Sequence, residues 1–255
     1  MLGSVSDAED LVQETFICWM RPDRSDATDA ETYIGRWHTA GSLPAGLTNR
    51  SATGGIAMIT VTRAPIRSYA IAAATLVCIQ IAVLHALGQP FIAASGRILL
   101  WVNDPLSPDM SQQLADWYSF SHIIHGFIFY GLLWLVAPRL PLGLRLLIAM
   151  AVEIGWEIAE NSPAVIQHYR QQALAAGYVG DSILNSVSDT VMMSAGFLFA
   201  SRVPGRYVVA IAVVFEIFTA IMIRDNLTLN VINLIAPPHW APIEAIHDWQ
   251  AGAAR

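Results

Sequence analysis

The sequence predicts an all-α, polytopic membrane helix bundle with about five transmembrane helices and one or two short interfacial helices. Three observations predict it. Of 255 residues, 55% are hydrophobic and 13% charged, and the mean hydropathy is +0.47; a soluble domain carries about 25% charged residues. Five segments are apolar over close to the roughly 20 residues that a helix needs to cross a bilayer core. The arginines sort into alternate connections between those segments.

The same composition excludes a disordered chain. The net charge of −6 argues against a nucleic-acid partner, which would need a basic patch. All fourteen basic residues are Arg, which reads as codon bias rather than function. Cys18 and Cys78 stand far apart, so neither a disulfide framework nor a cysteine metal site is available. No internal repeat or low-complexity tract is present.

Residues 1–57 read as a soluble, mostly disordered extension, and residues 58–255 as the integral membrane bundle. Ser6-Asp7-Ala8-Glu9 forms a capping box. A short amphipathic helix follows to about Met20, with Leu11, Val12, Phe16 and Trp19 as its stripe, until Arg21-Pro22 ends it. Residues 23–57 read as loop. Met58 reads as an alternative start, because Arg63 and Arg67 and then an apolar helix follow it. That helix is too long for the apolar core of a signal peptide and is expected to stay uncleaved.

The five spans are expected at about 69–87, 118–137, 142–160, 181–200 and 207–225. The third and fourth carry charges that lower their hydropathy. The runs 91–101 and 227–235 are too short to span and read as interfacial or re-entrant helices. The tail from Pro237 onward reads as a Pro-broken, surface-exposed end in which Trp240 and Trp249 reach the headgroups. Arg63 and Arg67 precede the first span, Arg139 and Arg145 flank the second turn, and Arg202 and Arg206 flank the fourth. The positive-inside rule then places the N-terminus in the cytoplasm and the C-terminus in the periplasm, in the bacterial inner membrane.

Ionisable residues inside a membrane are costly and face a bundle interior or cavity. The second span opens with Tyr118, Ser121, His122 and His125 on one helical face. The third ends with Glu153, Glu157 and Glu160 within an arc of roughly 60°. The fourth opens with Asp181, Asn185 and Asp189, spaced four apart. The fifth carries Glu216 and ends at Arg224-Asp225. At about 1.5 Å of rise per residue, His125, Glu153, Asp189 and Glu216 each lie roughly 10–13 Å below the outer end of their helix. This predicts a polar cavity lined by spans two to five and open to the periplasm.

Each group also has a structural reading. The histidines can be interhelical donors, and the glutamates can be protonated glue. Asp181 can be a helix cap, and Arg224-Asp225 a local ion pair. The candidate catalytic residues are His122, His125, Glu153, Glu157, Asp181, Asn185 and Asp189. His122, His125, Glu157 and Asp189 form a candidate ligand set for a divalent metal. The function expected is action on an envelope lipid or lipid-linked substrate. The alternatives are a small proton-coupled transporter and a scaffold whose polar groups only hold helices together. Whether the chain is an enzyme stays open.

Three resemblances add to this reading. The strings Trp117 to Gly126, Glu153 to Pro163, Gly180 to Asp189 and Ile223 to Asn230 resemble a family of uncharacterised alphaproteobacterial inner-membrane proteins, defined by a domain of unknown function. That resemblance covers residues 58 to about 245 and implies a multi-span plasma-membrane protein. A weaker likeness is to VanZ-like membrane proteins. It rests on a histidine opening one span (His122 or His125), glutamates on the next (Glu153 or Glu157), and the Asp181, Asn185 and Asp189 series after them. It implies a cell-envelope role. Loop lengths and Glu216 depart from that pattern. Finally, residues 1–20 resemble a fragment of region 2 of extracytoplasmic-function sigma factors, without its promoter-melting segment or promoter-reading domain, which implies a fusion remnant.

The orientation is open to a direct measurement. Reporter domains fused into the 139–145 turn should score as cytoplasmic and those in the 102–116 loop as periplasmic; the reverse pattern overturns the assignment.

Overall fold

A computed structural model describes residues 65–171, 177–236 and 240–251 of the chain. The helix, loop and alternative start expected within residues 1–64 lie outside the described residues. Eight helices follow in order: α1 Ile66–Ala86, α2 Ser119–Val136, α3 Leu142–Glu160, α4 Pro163–Tyr169, α5 Ile183–Ala200, α6 Gly205–Ile223, α7 Leu227–Ile235 and α8 Ala241–Ala251. No strand occurs among the described residues. The protein is an all-helical membrane bundle.

Four helices, α1, α2, α5 and α6, are long and apolar enough to cross a membrane. The fifth long helix, α3, has 19 residues but carries Arg145, Glu153, Glu157 and Glu160. Glu153 and Glu157 are buried, and Arg145 and Glu160, nearer its ends, are half-buried. α1 is the opposite case. It buries only Gln80 and Leu84 and leaves Ile66, Ile71 and Ile79 exposed, as a helix whose surroundings are hydrocarbon would do.

Helix starts and stops follow local chemistry. Pro65, in extended geometry, precedes α1, so the helix starts earlier than the apolar run suggested. Gly88 at φ +91° closes its other end, with its amide donating to the His85 carbonyl. Pro141 starts α3 after a four-residue turn. Pro163 opens α4, where a missing amide costs nothing. Ser182 caps α5 by accepting from the Asn185 amide, and Asn226 caps α7 by accepting from the Leu229 amide.

The closest packing is between α2 and α5. Gly126 and Gly196 make it possible. A Cβ on Gly126 would overlap the Met193 carbonyl oxygen and the Phe197 amide, and one on Gly196 would overlap the Ile123 carbonyl. Small residues at a crossing let two backbones touch, which supplies the van der Waals contact that drives association in lipid. α3 packs against both α1 and α5. The start of α2 meets α6 through aromatic rings: Phe120 lies 4.8 Å from Phe215 and Trp117 lies 5.5 Å from Phe218, centroid to centroid.

Two expectations about short segments are corrected. Residues 91–101 are not helical. Gly96 takes φ +66°, the Leu99 amide donates to the Gln113 side chain, and the Val102 and Leu114 amides donate to the Ala115 and Leu99 carbonyls. The Gly96 and Arg97 amides close local turns on Ala93 and Ser95, and the Leu99 amide goes to the facing loop, so the helical bonding pattern is not made. The tail is not simply broken either. Pro242 falls in the first turn of α8, where it is tolerated, and Ile243 and Gln250 are buried. The run 227–235 does form a short helix, and α4 was not foreseen.

The glycine crossing is testable. Gly126→Ala should lower stability by about 1–3 kcal/mol through overpacking, seen as a lower melting temperature in detergent. Gly131→Ala, where an added Cβ meets nothing within 4 Å, should leave it unchanged.

Candidate functional site

Glu153 is the most enclosed group of the site, with no exposed surface. Its helical position on α3 faces the first two turns of α2, where His122 and His125 follow one another on the same face. His122 Nδ1 lies 2.6 Å from Glu153 Oε1 and His125 Nδ1 lies 3.0 Å from Oε2. One carboxylate therefore orients two imidazoles. The two rings stand nearly perpendicular, 5.3 Å apart, and His125 stacks on Phe129.

The other ring nitrogen of His122, Nε2, lies 3.7 Å from Asp189 Oδ2 on α5. Ser119 Oγ reaches the other Asp189 oxygen at 3.5 Å. Glu157 stands one turn along α3 from Glu153. It is 1% exposed, its Oε1 lies 3.5 Å from His122 Nδ1, and neither of its oxygens has a hydrogen-bond partner. One ligand atom from each of His122, Glu157 and Asp189 lies within 4.8 Å of the others, and the same holds for His122, His125 and Glu153.

Asp181 and Asn185 have different surroundings. The Asp181 carboxylate accepts from Asn161 Nδ2 at 2.8 Å and from the Tyr178 hydroxyl at 2.9 Å, while its amide donates to Asn161 Oδ1. It is therefore not the cap of α5, which is Ser182. Asn185 Nδ2 donates to the Gln113 carbonyl, so this side chain holds a loop as well as facing the cavity. Gly180, at φ +91°, sits where a Cβ would press on Gln89 and Asn161. Glu160, at the end of α3, faces Tyr169 and Trp156.

Most of these side chains, but not Glu157, border one cavity of about 400 Å³. Its polar wall includes His122, His125, Glu153, Glu160, Asp181, Asn185 and Asp189, with Tyr118, Tyr169 and Tyr178. Its apolar wall is formed by Phe129, Val152, Leu227, Val231 and Leu234. The last three sit on α7 at helical spacing, so the short helix, not the fifth span, closes the cavity. The expectation that spans two to five line it is corrected accordingly.

Glu216, Arg224 and Asp225 lie outside the cavity lining. Glu216 accepts from the Leu227 and Thr228 amides at 3.1 and 3.0 Å, so it caps the start of α7. Arg224, at φ +55°, donates to the Trp249 carbonyl and lies over its ring. It forms no ion pair with Asp225 among the described residues. Asp225 is a junction. It accepts from Tyr118 at the start of α2, from the Asn226 amide, from Asn230 on α7 and from Gln250 on α8. Burial pushes its carboxyl up to about 6 even so. In the loop before α2, burial likewise raises Asp116, against the Ser111 and Tyr118 amides that bind it.

Sequence reasoning overlooked several contributors. Gln80 is a lone polar residue in an apolar span, and that was its signal; it is fully buried and bonds the Ser186 carbonyl and the Thr190 hydroxyl on α5. Asn161 follows the glutamate series directly. Tyr169 and Tyr178 gave no signal in a segment without periodicity.

Residues 84–252 match the family described as "Protein of unknown function (DUF2585)". A UPF0314 protein of Sphingopyxis alaskensis is 52% identical over 180 residues, covering 71% of this chain and 93% of that protein. One from Rhizobium etli is 53% identical over 173 residues, covering 68% and 86%, and one from Paracoccus denitrificans is 48% identical over 180 residues, covering 70% and 91%. No solved structure matches the chain.

The junction at Asp225 yields a prediction. Asp225→Ala leaves four donors without their acceptor in a buried setting and should cost about 1–3 kcal/mol or more, read as a lowered melting temperature. Tyr118→Phe removes one of those bonds and should cost about 1 kcal/mol.

Proposed function

The chain belongs to the DUF2585 family of proteins of unknown function, and we propose that it is an inner-membrane enzyme acting at the polar head of an envelope lipid or lipid-linked substrate. One observation carries the reading: a single cavity of about 400 Å³ joins the His122–Glu153–His125 cluster to the apolar wall made by Phe129, Val231 and Leu234. Pockets of that size enclose a small-molecule ligand or head group. An amphiphile satisfies both walls at once, with its head among the imidazoles and carboxylates and its chain along α7.

In this reading Glu153 holds His125 by Nδ1, which leaves Nε2 of that ring to accept or deliver a proton at the bound head group. Tyr178 and Asp181 supply further polar contacts on the same wall. The arginines support a periplasmic opening. The site is built from the start of α2, the end of α3 and the start of α5, whereas Arg139 and Arg145 belong to the opposite ends of α2 and α3.

Val231→Trp fills the apolar wall and is expected to abolish co-purification of a defined amphiphile, followed by mass spectrometry of extracted lipid. In a strain lacking the gene, His125→Ala and Glu153→Gln, present in the membrane at wild-type level, should fail to restore the envelope lipid profile. The corresponding loss of turnover should be about 10²–10⁴-fold. Full restoration by both variants would overturn the enzymatic reading.

A further inference from the structure

Glu157 has no role in the proton chemistry just described, and its surroundings call for one. It is 1% exposed, neither oxygen has a hydrogen-bond partner, and it stands beside a second buried carboxylate, Asp189. Leaving buried carboxylate oxygens unsatisfied is costly. Three carboxylates, Glu153, Glu157 and Asp189, stand around the His122 ring, and a cation among them offsets the repulsion of those that stay ionised. We propose that His122, Glu157 and Asp189 bind a divalent first-row metal ion, such as Zn²⁺ or Mn²⁺, at the cavity wall that His122 and Asp189 form, with Glu157 behind it; the inference deepens the enzymatic reading above and names the same site's inorganic ligand.

Four features of the geometry carry it. One ligand atom from each of the three residues lies within 4.8 Å of the other two, so small side-chain rotations bring all three to one ion. His122 Nε2 and Asp189 Oδ2 are 3.7 Å apart, too far for a hydrogen bond. Two ligands with bonds of about 2.1 Å at a roughly tetrahedral angle stand about 3.4 Å apart. Nδ1 of His122 is held by Glu153 at 2.6 Å. With Nδ1 donating there, Nε2 is left as the acceptor on the Asp189 side, as in a carboxylate–histidine–metal arrangement; Glu157 Oε1, which lies 3.5 Å from Nδ1, turns toward Nε2 to join it. The ligand atoms, one nitrogen and at least two carboxylate oxygens, suit a borderline or hard divalent ion.

The rival grouping of His122, His125 and Glu153 fits less well. Both Glu153 oxygens are already taken, one by each ring, so Glu153 orients the imidazoles. Three protein ligands leave coordination positions open, and both His122 and Asp189 border the cavity. There the ion would bind and polarise an oxygen of the substrate head group.

The test is elemental analysis of the full chain purified in detergent without chelator, beside Glu157→Gln, Asp189→Asn and Glu216→Gln. The expected result is close to one equivalent of metal per chain in the wild type and in Glu216→Gln, and at least a fivefold loss in the other two. Helicity and a single gel-filtration peak confirm that each variant folds. Should Glu157→Gln fail to fold, Co²⁺ titration of wild type and Asp189→Asn gives a second readout. The visible d–d bands expected with a His nitrogen ligand should appear only in the wild type. Chelator should lower the wild-type melting temperature and leave that of Asp189→Asn unmoved.

Metal below a tenth of an equivalent after reconstitution with Zn²⁺, Mn²⁺ and Fe²⁺, or equal binding by Glu157→Gln, overturns the metal site. The two readings fail separately. A metal-free protein whose His125→Ala variant cannot restore the envelope profile loses the ion and keeps the enzyme. A metal-bound protein whose His125→Ala and Glu153→Gln variants restore the profile keeps the ion and loses the enzymatic reading.

Discussion

Glu153 sits inside a membrane helix with no exposed surface, and its two oxygens meet two imidazoles of the neighbouring helix. A carboxylate in that position is tolerable only when donors reach it. The donors come from α2, so α2 and α3 are fixed in rotation about their own axes. α2 in turn must lie against α5, and it does so through Gly126 and Gly196, where no side chain intervenes. The polar pairing sets which faces meet, and the glycines set how closely.

The same constraint shapes the loops. The start of α5 brings amides of Ser182, Ile183 and Leu184 to carbonyls of Ser111, Pro90 and Phe91. Its Asn185 and Ser188 side chains reach the carbonyls of Gln113 and Leu114. The amides at that helix end are thus answered by loop carbonyls and by the Ser182 hydroxyl, as a helix end away from bulk water requires. Asp225 performs the parallel task for α7 and α8, drawing them to the start of α2. The cavity is the space left between these two sets of connections.

Much of this was legible in the sequence, and the reason is periodicity. The spacing of His122 and His125, of Glu153 and Glu157, and of Asn185 and Asp189 reports a shared helical face directly, and the structure brings those faces together; Asp181, expected on the same helix, precedes its Ser182 cap and joins from the loop. An expected depth along a helix does not fix azimuth. Glu216 lies at the right level and yet turns to cap α7. Segments whose conformation is set by partners far along the chain were misread. Residues 91–101 are apolar enough for a short helix, but the Leu99 amide goes to Gln113 and the Leu99 carbonyl accepts from Leu114. No local pattern announces that α7 would close the cavity, because its apolar stripe finds its role only once α2 and α3 are in place.

Gln80 carries a consequence for biogenesis. Its side chain donates to the Ser186 carbonyl, 106 residues further along the chain. At a synthesis rate of roughly 5–20 residues per second, α1 waits about 5–20 s in the membrane before its partner is made. During that interval the amide has no permanent acceptor in hydrocarbon. α1 must therefore be retained beside the insertion machinery, or paired with another chain's polar group, until α5 arrives.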